Sequence, residues 1–137
     1  MRIALIIALP VLLSGCSLLM PRHDPEKAWV ELPKHEEGRL EAVQVDGQDL
    51  EDDRYFQIAP GRHELQVRMS FEVEAANVGA EQTLPRTCLL TLDYGDFAAG
   101  QRYRLEAGSR GFRPWVQLQD ARGESLARAR EGRCGAV

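Results

Sequence analysis

The sequence predicts an all-β chain folded as an antiparallel β-sandwich of about seven or eight strands. Three observations carry that expectation. Short runs alternate apolar and polar residues with a period of two, glycine and proline turn signals separate the runs, and no segment shows a persuasive helical repeat.

In chain order, Ala28-Trp29-Val30-Glu31-Leu32 is the first apolar piece and reads as an edge strand stopped by Pro33, because proline has no N–H for a ladder. Glu41 to Val45 follows, with Val43 and Val45 expected inward. The clearest stretch is His63 to Glu74. There Leu65, Val67, Met69, Phe71 and Val73 fall on one side, and Glu64, Gln66, Arg68, Ser70, Glu72 and Glu74 on the other. Thr87 to Tyr94 places Cys88, Leu90, Leu92 and Tyr94 on one face. Tyr103, Leu105 and Ala107 mark the next strand, Gly108-Ser109-Arg110-Gly111 turns the chain, and Trp115 to Gln119 returns with Val116 and Leu118 together. Helix and strand compete over Ser125 to Arg130. A strand led out of the Asp120-Ala121-Arg122-Gly123 turn is expected, because Cys134 has to come back to a strand-borne partner. The succession reads as a meander.

At the N-terminus, Arg2 precedes a short apolar run from Ile3 to Leu12, too short to span a bilayer, which takes roughly 20 residues. The run ends in Leu13-Ser14-Gly15-Cys16, which resembles the cleavage box of bacterial lipoproteins. The resemblance implies a signal peptide over residues 1–15 and a diacylglycerol on the Cys16 thiol. It also implies an acylated new amino group, so that two or three chains of the palmitate kind hold the protein where one would bind only marginally. Ser17, where aspartate would favour inner-membrane retention, points to the periplasmic leaflet of the outer membrane. Residues 16–38, with Pro21, Pro25 and Pro33 among many charges, read as the lipidated cysteine and a tether, and residues 39–137 as the β-sandwich domain. Removing the leader leaves roughly 120 residues, enough for one core.

The net charge of -4 becomes one unit more acidic once Arg2 is lost, which argues against nucleic acid as a partner and against a general affinity for anionic lipid. With Cys16 acylated, Cys88 and Cys134 remain in an oxidising compartment and are expected to form a disulfide. It closes a loop of about 45 residues, worth roughly 4 kcal/mol in the chain-entropy account. A metal site is the competing use of two cysteines, but no CxxC pair occurs and His23, His35 and His63 are scattered. Neither a metal nor a cofactor is expected.

Val43 to Leu50, with its Asp46-Gly47 turn, and Ile58 to Arg68, with its Pro60-Gly61 turn, resemble the PEGA-like modules of bacterial surface proteins. The resemblance covers residues 43–68 alone. It implies a small Ig-like or transthyretin-like β-sandwich and brings no catalytic residue, since such modules mostly bind or space. The strand from His63 to Glu74 runs past the usual module, and the disulfide is an addition.

Catalytic chemistry finds no foothold in the chain. None of the serines lies in a G-x-S-x-G turn, His63 follows a hairpin turn where histidine packs or caps, and Glu51-Asp52-Asp53 and Glu36-Glu37 read as solvated loops rather than calcium ligands. An enzyme is not expected. The candidate binding surface is Tyr103, Arg110, Phe112, Arg113 and Trp115, guanidinium groups beside aromatic rings in an acidic protein. Arg122, Arg128, Arg130 and Arg133 either enlarge it or answer Glu64, Glu72 and Glu74. The bland account buries Tyr103 and Trp115 in the core under arginine stems. The chain is therefore expected to be a non-enzymatic envelope protein, fixed to the membrane by its lipid, with a binding or adaptor role toward another envelope protein or the cell wall. Two alternatives are binding of glycan or anionic lipid by the arginine and aromatic patch, and inhibition or chaperoning through an edge strand.

Overall fold

A computed structural model of the chain describes residues 23–34, 38–50, 54–79 and 81–135. The expected lipidation site Cys16, the leader before it, His35 with Glu36-Glu37, and Glu51-Asp52-Asp53 lie outside the described residues. Among those described, the chain is a sandwich of two five-stranded sheets. The first sheet has the order β4 (Tyr55–Ile58), β1 (Ala28–Glu31), β7 (Arg102–Arg110), β8 (Arg113–Asp120), β9 (Ser125–Arg128). The second has β10 (Arg130–Cys134), β6 (Leu84–Phe97), β5 (Gly61–Val73), β2 (Gly38–Val45), β3 (Gln48–Asp49). One helical turn, α1 (Ala75–Val78), links β5 to β6 and ends on Gly79 in the left-handed region.

The core is the sum of the inward parities. Leu65, Val67, Met69, Phe71 and Val73 of β5 are buried, as are Cys88, Leu90 and Leu92 of β6, Leu105 and Ala107 of β7, and Val116 and Leu118 of β8. Each fully covered aliphatic side chain contributes about 1.5–3 kcal/mol, so these alternating runs supply most of the drive to fold. The long arms β5 and β6 form the backbone of the second sheet, in unbroken register from His63 opposite Tyr94 to Val73 opposite Leu84, with a shift of one residue between His63 and the Gly61–Phe97 pair.

Four features depart from the sequence expectation. Strand β1 is not an edge: it pairs antiparallel with β4 and parallel with β7, the one parallel pair among the described strands. Pro33 does not prevent this because it follows the strand's last residue, and Ala28 and Val30 turn inward while Trp29 and Glu31 turn out. The sheet body thus begins at Ala28, earlier than residue 39. In β2 the inward residues are Leu40, Ala42 and Val45, whereas Val43 is the extra residue of a bulge between Ala42 and Gln44 that reverses the parity. The segment after Gly123 is two strands. β9 closes one sheet, the chain steps across at Ala129, and β10 joins the other. Ten strands result among the described residues, and their order is a meander only from β7 to β9.

The step at Ala129 brings Cys134 opposite Cys88, and the two form a disulfide with Cα atoms 4.0 Å apart. At the opposite side, Asp46 (φ 50°) and Gly47 (φ 79°) both take positive φ, the geometry of a tight two-residue hairpin joining β2 to β3.

Candidate functional site

Side chains that leave the core from the first sheet form its outer face, and the candidate residues divide according to parity. Tyr103 goes inward. It is 5% exposed, its rings meet Phe97 and Tyr94 edge-on, and its hydroxyl accepts the backbone N–H of Ala98 at 2.9 Å. It anchors the turn before β7 and is unavailable to a ligand. Phe112 sits at the tip of the β7–β8 hairpin, 45% exposed, with the Arg86 guanidinium 5.5 Å from its ring centre. It thus neighbours β6 and does not line the cleft that the remaining three share.

Arg110, Arg113 and Trp115 do come together. Arg110 and Arg113 face each other in the last pair of the β7–β8 hairpin, and Trp115 lies opposite Gly108 two pairs further down. The indole of Trp115 occupies the space a side chain at 108 would need: a Cβ there would stand 2.6 to 2.8 Å from three indole atoms. Glycine is thus what lets the ring lie across β7. The β8–β9 register then places Arg128 opposite Gln117, next to the same group. The four side chains line a cleft of about 590 Å³, with Pro114 and Glu131 in its walls. That volume falls in the range of small-ligand sites, roughly 300–1,000 Å³.

The electrostatics of the cleft are lopsided. Elsewhere arginines are answered: Arg104 by Glu31 at 3.2 Å and Glu106 at 3.7 Å, Arg68 by Glu41, Arg130 by Asp93 at 3.0 Å. Arg110, Arg113 and Arg128 have no ion-pair or hydrogen-bond partner among the described residues. Like charges directly across a ladder cost about 0.2–1 kcal/mol, so the Arg110 and Arg113 pair is a local debit that a bound anion would cancel. A guanidinium offers a planar fork of donors suited to carboxylate or phosphate.

Further along the same face Trp29 stacks on Tyr55, ring centres 4.6 Å apart and planes 3° from parallel. The Arg102 guanidinium lies 5.9 Å from the Trp29 ring and Arg54 6.0 Å from that of Tyr55. The sequence alone does not reveal this cross-strand stack. Its signal was the outward parity of Trp29 in an otherwise aliphatic run, but the partners come from strands distant in the chain.

His63 has a structural part. Its Nδ1 lies 2.5 Å from Asp46 Oδ2 and its Nε2 2.6 Å from the Ala59 carbonyl, while Asp46 Oδ1 accepts the Glu64 N–H at 2.9 Å. The Glu64 N–H first, and the His63 ring second, hold the Asp46 carboxyl below its ordinary value. Together they pin the β2–β3 turn onto the start of β5. No group of three or more His, Cys, Asp or Glu suited to a metal ion occurs among the described residues. Comparison of the chain with protein-family models, curated proteins and solved structures finds no match.

Proposed function

We propose that this protein is a non-enzymatic binding module, lipid-anchored at Cys16 to the periplasmic leaflet of the outer membrane, which grips an acidic group of an envelope partner in the Arg110, Arg113, Arg128 and Trp115 cleft. The observation that carries the reading is the set of three unanswered guanidiniums converging from three strands of an acidic chain. Three such groups serve carboxylate or phosphate, and the indole beside them offers an apolar wall for whatever bears the charge. The Leu13 to Cys16 box supports the anchor, and a disulfide suits an oxidising compartment.

The test is retention of the lipidated full chain, in detergent, on purified peptidoglycan and on its soluble acidic fragments. Replacing Arg113 with alanine removes charge-assisted hydrogen bonds of about 1.5–3 kcal/mol, so affinity should drop at least tenfold. Unchanged retention by Arg113→Ala and Trp115→Ala variants that keep the native melting temperature would refute the cleft as the contact.

A second reading has its own observation: β3 covers only Gln44 and Val45, which leaves the outer edge of β2 from Gly38 to Ala42 without a strand partner among the described residues. An adaptor could add a strand there. Cross-linking from position 41 to a partner, indifferent to Arg113→Ala, would favour it.

A further inference from the structure

We infer that the occupant of the arginine face is the phosphate layer of the leaflet that holds the anchor, so that the outer face of the first sheet lies on the membrane. This rests on the proposal of a lipid-anchored module with an anion-gripping cleft, and names its partner.

The chain as a whole is acidic, which argues against a general attraction to anionic lipid. Its two sheets, however, carry different charge. On the outer face of the first, Arg102, Arg110, Arg113 and Arg128 have no acidic partner among the described residues, Glu31 and Glu106 meet Arg104, and Glu131 stands in the cleft wall. On the outer side of the second, charges are paired: Glu41 meets Arg39 and Arg68, and Asp93 meets Arg130. A body so divided is drawn to a negative surface by one side more than by the other, which selects an orientation as well as an attraction.

The positive side also carries the outward-turned indoles. Both tryptophans of the chain, Trp29 and Trp115, stand on it, and amphipathic rings of this kind favour the headgroup level of a bilayer. From Arg102 to Arg110 the face runs roughly 26 Å along β7, longer than one cleft and suited to a surface. The tether makes the same point. Only about a dozen residues separate Cys16 from Ala28, at most about 40 Å of extended chain, and they lead into β1 of this sheet beside Trp29. A body held that close meets the headgroups at an effective concentration near the millimolar range, so weak contacts suffice to lay it down.

The lipidated full chain, reconstituted on vesicles of phosphatidylglycerol and phosphatidylcholine or of phosphatidylcholine alone, tests this with lipids that carry a quencher in the headgroup region. Trp29 and Trp115 are the reporters, and Trp29→Phe leaves Trp115 alone. Quenching is expected on the anionic vesicles and should fade with salt. The Arg110→Gln, Arg113→Gln, Arg128→Gln triple variant should lose roughly fivefold per arginine, about a hundredfold in the equilibrium between lying down and standing off. Membrane-bound protein that is unquenched on both vesicles, or equally quenched in the triple variant, overturns the inference. If that unquenched protein still holds acidic glycan fragments through Arg113, the binding proposal survives and the partner is glycan. Failure of the protein to stay with either vesicle overturns anchor and docking together.

Discussion

Replacing Gly108 with alanine should destabilise the domain, against the ordinary rule for strands. Glycine inside a strand costs about 0.5–1 kcal/mol relative to alanine, so the substitution alone would be a gain. At 108, however, the new methyl would stand 2.6 to 2.8 Å from three atoms of the Trp115 indole, closer than real Cβ contacts come. Overpacking of that kind costs about 1–3 kcal/mol, which leaves a net loss of about 1 kcal/mol. For a domain near 100 residues the melting temperature then falls by roughly 4–8 °C. A double-mutant cycle isolates the cause. In a Trp115→Ala background the clash is gone, and Gly108→Ala should become neutral or stabilising by up to about 1 kcal/mol. Urea denaturation followed by circular dichroism measures both arms. A stabilised Gly108→Ala single variant, or a cycle with no coupling energy, refutes the placement of the indole over β7. Because the same movement lifts Trp115 from the cleft, ligand affinity should weaken in step.

Three other outcomes are expected, two from the geometry and one from the Leu13 to Cys16 box. Cys134→Ser opens a link between residues separated by 46 positions and should lower the unfolding free energy by about 2–4 kcal/mol, while a midpoint in denaturant unmoved by the change would show that β10 needs no covalent hold. The lowered Asp46 carboxyl contributes stability that is fully present above the ordinary value of 3.8 and is lost as pH falls below it through the depressed folded value; Asp46→Asn should lose this contribution, so the two stability profiles converge toward acid and separate above about pH 4. Parallel profiles across that window would remove the electrostatic role given to the Glu64 N–H. Cys16→Ala should abolish incorporation of labelled fatty acid and release the domain from the membrane, and persistent labelling would move the anchor elsewhere.

How far the fold was legible depended on whether the information was local. The run from His63 to Glu74 announces its buried face because a half-buried strand repeats every two residues, and Leu65 to Val73 are buried as that period requires. In β2 one inserted residue defeats the same reasoning. The bulge at Val43 leaves Leu40 and Ala42 inside, although counting back from Val45 points to Val43. The parallel pairing of β1 with β7 joins Trp29 to Arg102 across more than half the chain, and nothing in the five residues around Trp29 encodes that partner. At the candidate site, Arg110, Arg113 and Trp115 were legible as a cluster because one hairpin holds them. Tyr103 belongs by its own alternation with Leu105 and Ala107 to the interior, and that parity outweighs its nearness to arginines in sequence. Arg128 joins the group through the β8–β9 register, which composition does not reveal.

The crossing at Ala129 makes the last few residues a lace between two layers. β9 is sewn to one, β10 to the other, and the bond to Cys88 is the knot at the end. Reductive cleavage would therefore loosen more than a single covalent restraint. Once the tail peels away, β6 presents a row of bare amides and carbonyls from Thr91 back to Cys88, a template on which a neighbouring chain can deposit itself. For the lipid-anchored protein proposed above, the oxidised knot would thus also be a safeguard against self-association.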